Sequence, residues 1–175
     1  MRVWFCCLVL GLWASLASGA EPVLDEHLRP FAPLVGKTWR GEFKNSTPEK
    51  PLFDTMRWEM ALKGKAIRTR HALNDGVYGG ETLILWDPAK KQIVSFYFTT
   101  AGFRTEAAFE IKDGKFHSTE MVHGLPGGVT EVSAVSELKD GKFHVKSRRK
   151  VNDVWVDGHE VTYREVAGDT PIPVD

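Results

Sequence analysis

The chain predicts an all-β protein: an antiparallel up-and-down barrel of about ten strands, preceded by a short helix. Three observations carry this. Lys112-Asp113-Gly114-Lys115-Phe116-His117 recurs unchanged from Lys139 to His144. Asp-Gly between alternating apolar residues marks a two-residue hairpin turn. Runs with strand patterning follow one another from residue 53 to residue 165, joined by short connections rich in Gly, Asp, Asn and Pro. Hairpin after hairpin favours a meander over a Greek-key sandwich, and a meander that closes on itself leaves no exposed sheet edge.

Taken in order, residues 1–20 read as a cleaved signal peptide. Arg2 is a positive start, Val3 to Leu16 is apolar, and Ala17-Ser18-Gly19-Ala20 offers small residues for cleavage. The apolar run is short for a membrane span. Cys6 and Cys7 both lie in this segment, so the mature chain has no disulfide, thiolate nucleophile or cysteine-ligated metal. Export to the periplasm or the medium is expected, with no stable membrane anchor after cleavage. The remaining chain of about 155 residues is enough for one domain held by its core. It is expected to span 21–166, with 167–175 as a flexible tail.

Leu24, Leu28, Phe31, Leu34 and Val35 have helical spacing, and Pro30 and Pro33 limit the segment to a turn or two. Gly36 to Phe43 is the first strand. Residues 44–52 form a loop that holds Asn45-Ser46-Thr47, a glycosylation acceptor in a eukaryotic secretory pathway. Nine further strands are expected near 53–62, 66–74, 78–87, 92–100, 103–111, 115–122, 129–138, 142–151 and 154–165.

The turns set the register. Asp113-Gly114 places Ile111 opposite Phe116, and Asp140-Gly141 places Leu138 opposite Phe143; these pairs face the core. Period two then puts Phe103, Thr105, Ala107 and Phe109 inside. A two-residue turn at Ala101-Gly102 would carry Val94, Phe96 and Phe98 inside as well. Met56, Trp58, Met60 and Leu62 share an apolar face, as do Ile67, Thr69, His71 and Leu73. Val145 and Ser147 point in, His117 and His144 out. His159 shares a face with Val161 and Tyr163, provided that Gly158 is a bulge that corrects the parity of Val154 and Val156. The candidate ligand-binding residues are therefore Trp58, His71, Phe96, Phe98, Thr105, His159 and Tyr163. Each inward histidine is either a core residue satisfied by a neighbour or a polar group that orients a ligand in an apolar pocket.

Composition narrows the function classes. The full chain has 23 basic and 23 acidic residues, so nothing suggests a nucleic-acid partner. No nucleophile elbow, zinc-protease motif or phosphate loop is present. Gly124 to Gly128 joins two strands and reads as a loop at a barrel mouth. Acidic residues are expected on outward faces, and two inward histidines are too few for zinc. No catalytic residue is assigned.

Gly36-Lys37-Thr38-Trp39 after a short helix resembles the Gly-x-Trp opening of lipocalin and related calycin barrels, in which the tryptophan crosses the floor. Gly36 to Pro51, Arg57 to Gly64, Asn74 to Trp86, Tyr97 to Phe103 and Trp155 to Glu160 resemble a family of uncharacterised exported bacterial proteins with a lipocalin-like domain. That likeness implies a barrel and no established activity. Gly36 to Gly41 is also similar to the opening of nitrobindin-type haem barrels. That second resemblance implies a haem ligand in the final strand, where His159 falls. The leading expectation is a monomeric exported barrel that binds a small, largely apolar molecule without a cofactor. The alternatives are a haem protein with nitric oxide or peroxynitrite chemistry, and a scaffold with a packed interior.

Overall fold

The structure is a computed structural model and describes residues 22–174; the expected signal peptide and both cysteines lie outside the described residues. Ten strands follow one another: β1 (Thr38–Phe43), β2 (Phe53–Ala61), β3 (Ala66–Leu73), β4 (Tyr78–Asp87), β5 (Gln92–Thr99), β6 (Arg104–Lys112), β7 (Lys115–His123), β8 (Val129–Lys139), β9 (Lys142–Val151) and β10 (Val154–Val166). Each pairs antiparallel with its neighbours in sequence, and β1 pairs with β10 to close the barrel. The up-and-down barrel is thus as predicted. Both repeated turns have the backbone that Asp-Gly favours: Asp113 and Gly114 have φ of 51° and 73°, Asp140 and Gly141 50° and 70°. Ile111 pairs with Phe116 and Leu138 with Phe143.

One end of the barrel is sealed. The expected helix is a 3₁₀ turn, Glu26–Phe31, capped by the Asp25 carboxylate, which accepts from the His27 amide at 3.1 Å. Pro30 withholds the amide that a continuing α-helix would need. Leu28, Phe31 and Leu34 are at most 1% exposed. Phe31 stacks on Phe116 at 4.5 Å and meets Phe109 edge-on at 5.6 Å, so the segment lies across the barrel as a plug. Trp39 is buried beside it, and its indole N–H donates to the Leu34 carbonyl. Trp58 lies over this floor against Phe31 and Phe143.

The alternation in β5 corrects one expectation. Phe98 pairs with Arg104, Phe96 with Glu106 and Val94 with Ala108, whereas Tyr97 pairs with inward Thr105. Phe96, Phe98 and Val94 therefore face out, and Phe98 is 53% exposed. The connection is a longer loop than the two-residue turn expected. The Gly102 amide donates to the Thr99 carbonyl, and the Thr99 amide to the Phe103 carbonyl. One extra residue in the connection turns the whole strand over. In β10 the register shifts between Asp157 and Glu160, which is the bulge expected at Gly158.

Candidate functional site

Above the apolar floor, the open half of the barrel is lined by polar side chains. Five of them form one hydrogen-bonded chain across five strands. His71 Nδ1 lies 2.7 Å from Asp54 Oδ1, and its Nε2 lies 2.7 Å from the Tyr97 hydroxyl. The Tyr97 and Tyr78 hydroxyls are 2.8 Å apart. The Tyr163 hydroxyl donates to Asp54 Oδ2 at 2.9 Å. One proton arrangement satisfies every member. A carboxylate at Asp54 accepts from Tyr163 and from His71 Nδ1, His71 Nε2 accepts from Tyr97, and Tyr97 accepts from Tyr78. Asp54 is only 4% exposed, so these donors replace the water it has lost.

Two glycines make this reach possible. Tyr163 stands on β10 and its partner on β2, with β1 between them. Gly41 of β1 pairs with both Tyr163 and Asp54, and a Cβ there would sit 2.7 Å from the Tyr163 ring. Tyr97 stands on β5 and reaches β3 across β4. Gly80 of β4 pairs with His71, and a Cβ there would meet the Tyr97 ring at 2.5 Å. Each tyrosine lies over a strand whose side chain is missing.

Burial holds the Tyr97 and Tyr163 hydroxyls far above the ordinary phenol range, and raises Tyr78 as well, although its bond to Tyr97 opposes the shift. All three stay protonated near neutral pH and act as hydrogen-bond donors. Burial lowers His159. Its Nδ1 lies 3.1 Å from the Ser147 hydroxyl, its amide donates to the same oxygen at 2.9 Å, and its ring meets Phe43 edge-on. By accessible surface His159 is an exposed residue, and its ring leans on Phe43 and Ser147 at the barrel's edge.

Facing this chain is a carboxyl at Glu120. The Thr105 hydroxyl donates to its Oε2 at 3.0 Å, and burial raises its pKa against that bond. Among the described residues Glu120 has no cationic partner. Its other oxygen, Oε1, makes no hydrogen bond among the described residues. Asp54 and Glu120 correct the expectation that acidic residues face outward. Parity could have found both: Asp54 shares a face with Met56 and Trp58, and Glu120 with Phe116 and Ser118.

Of the sequence candidates, His71, Thr105 and Tyr163 belong to this polar lining, and His159 lies at its open edge. Trp58 belongs to the floor instead. Phe96 and Phe98 lie on the outer face. Several inward residues of the open half, among them Glu120, Val122, Val132 and Ala134, are only partly buried. The interior is therefore less filled here than at the floor, where Phe31 and Ile67 are at most 1% exposed.

These features define a closed ten-stranded antiparallel barrel of calycin-like fold, an architecture suited to ligand binding. No protein-family profile matches the sequence, and no curated protein does. Among solved structures, the chain is similar to the crystal structure of Rv2717c from M. tuberculosis, with a TM-score of 0.64 and 10% identity. The match covers 83% of this chain and all of that one, and at such low identity it is a likeness of fold.

Proposed function

We propose that this is an exported binding protein for one small, largely apolar molecule with a polar end, admitted through the open mouth. The observation that carries the reading is the division of the interior. A sealed apolar floor lies beneath a half-accessible zone in which Tyr78, Tyr97, His71 and Asp54 hold one another in place. An apolar body gains from burial against the floor, and the polar groups of the upper half receive its polar end. Because the tyrosines stay protonated, we assign the chain a recognition role rather than acid–base catalysis. A wholly packed scaffold fits less well with the accessibility of Glu120, Val122 and Val132.

Native mass spectrometry of the purified protein tests this. Wild type is expected to carry a stoichiometric adduct that denaturation releases. Ala107 points inward between Ser95 and Glu120 and is 6% exposed. Ala107→Trp should block uptake while the fold persists. A wild-type interior that takes up no member of a small apolar library would reject the reading.

One observation favours the haem alternative. The Ser147 hydroxyl lies 3.1 Å from His159 Nδ1 and can accept its proton, and in that tautomer Nε2 of the neutral imidazole carries the lone pair with which histidine binds iron. In that reading His159 would hold haem, and the group would bring nitric oxide or peroxynitrite chemistry. Haem titration separates the two. The apolar-ligand reading expects broad, weak spectra that are unchanged in His159→Ala. A sharp, stoichiometric Soret band lost in that variant would establish the alternative.

A further inference from the structure

Three aromatic rings make a corner in the open half of the barrel. Tyr78 and Phe103 are nearly parallel, 15° apart with centroids at 6.4 Å, and Tyr97 stands edge-on to Phe103 at 6.5 Å. The hydroxyls of Tyr78 and Tyr97 are already engaged, Tyr78 with Tyr97 and Tyr97 with His71. What they leave for a guest is ring surface. Thr105 lies two residues beyond Phe103 on the same face, directly opposite Tyr97, and its hydroxyl holds Glu120. An uncompensated carboxyl therefore sits next to an aromatic corner, inside a barrel whose other inward carboxylate, Asp54, is already engaged by His71 and Tyr163.

Building on the binding role proposed above, we infer that this corner is an ammonium subsite and that the ligand is an apolar amine. Each side of the pairing supplies what the other lacks. A cation is attracted to the faces of electron-rich rings, most strongly where water is excluded. A half-buried carboxyl with no cationic partner is a costlier anion than one in water until a cation arrives. Burial raises the Glu120 pKa, which favours its proton-bound form while no cation is present. An ammonium ion lying between the rings and Oε1 makes the ionised form favourable, so the proton leaves as the amine binds. A neutral or anionic guest gains nothing from this arrangement. The other groups that face Glu120 across the interior are Tyr78, Tyr97, His71 and Asp54 on one side and Arg149 and His159 at the mouth. Arg149 of β9 and Glu120 of β7 both pair with Val132 of β8, so the guanidinium stands two strands from the carboxyl at the same level, and the two form no ion pair among the described residues; His159 stands one strand further, on β10.

The test compares 2-phenylethylammonium with neutral 2-phenylethanol by calorimetry on the mature wild-type protein. The ammonium ion should bind about tenfold more tightly or better. Glu120→Gln should bring the ratio of the two affinities close to one, whatever it does to either alone, with folding checked by thermal melting. A second readout needs no variant. At pH 5, in two buffers of different ionisation enthalpy, ammonium binding should release protons and alcohol binding should not. If both compounds bind wild type equally, or if 3-phenylpropionate binds best, the ammonium subsite is overturned while the barrel remains a binding protein. Ammonium binding without proton release, or a preference that survives in Glu120→Gln, removes Glu120 from the subsite and overturns the inference. If none of the three compounds binds, it is overturned as well.

Discussion

At the scale of single residues, the polar chain depends on two absent side chains as much as on the five present. Gly80 and Gly41 are extended-strand residues whose value is space, not backbone freedom. A methyl group at Gly80 would press on the Tyr97 ring and on the Phe98 carbonyl. Gly80→Ala is therefore expected to push Tyr97 away from His71 and destabilise the fold by about 1–3 kcal/mol. Urea denaturation checks the stability, and the environment of the His71 ring protons by NMR checks the displacement. An unchanged midpoint with an unchanged His71 spectrum would show that Tyr97 has room to spare. The members of the chain were unevenly legible beforehand. His71 and Tyr163 followed from alternation around apolar neighbours. Asp54 and Glu120 obey the same alternation but were passed over, since a charged residue next to a turn or among polar neighbours reads as surface. Tyr97 was misplaced along with its strand.

At the scale of elements, the plug is held by a small electrostatic knot. Asp25 accepts from the His27 amide and side chain and from Lys65 at 3.0 Å, and His27 stacks on Trp86 at 3.8 Å. The His27 side chain and then Lys65 hold the Asp25 carboxyl at about 2, below its ordinary value of 3.8. A depressed carboxyl stabilises the fold above its unfolded pKa, and the contribution is lost as pH falls through the folded value. Asp25→Ala should therefore melt at a lower temperature than wild type at pH 5. The gap should narrow below about pH 4 and close near pH 2. Thermal midpoints of both proteins across that range measure it, and a constant gap would exclude the carboxylate as its source. Strand boundaries were readable because turn chemistry and period-two patterning agree at nearly every connection. Residues 99–103 were the exception. Ala101-Gly102 resembles a tight turn locally, whereas pairing of Phe98 with Arg104 selects a longer loop.

At the scale of the whole molecule, closure through β1 and β10 brings the last strand beside the first and places Tyr163 within reach of Asp54, 109 residues away in sequence. The C-terminal segment then runs back over the outside. Arg57 donates to the carbonyls of Gly168 and Thr170, and Pro173 and Val174 lie against Gly76 and Gly79. Export is expected to leave this barrel without residues 1–20. The intact mass of protein recovered from the periplasm or the medium should equal that of a chain beginning at or within a residue or two of Glu21. A mass that includes Met1 to Ala20 would contradict cleavage.

The sequence by itself determined the fold class, the number and order of strands, the turn geometry at both Asp-Gly pairs and the short helical segment with its apolar spacing. Each is written locally, in spacing and turn chemistry that few other backbones tolerate. Only the tertiary structure decided which polar groups meet. The Tyr78–Tyr97–His71–Asp54–Tyr163 chain joins residues from five strands, and its contacts depend on closure, on a one-residue difference in a single loop and on glycines that let two tyrosines cross. Alternation says that a side chain points inward. Which side chain it touches there depends on strands far away in sequence, and that is set only when the barrel closes.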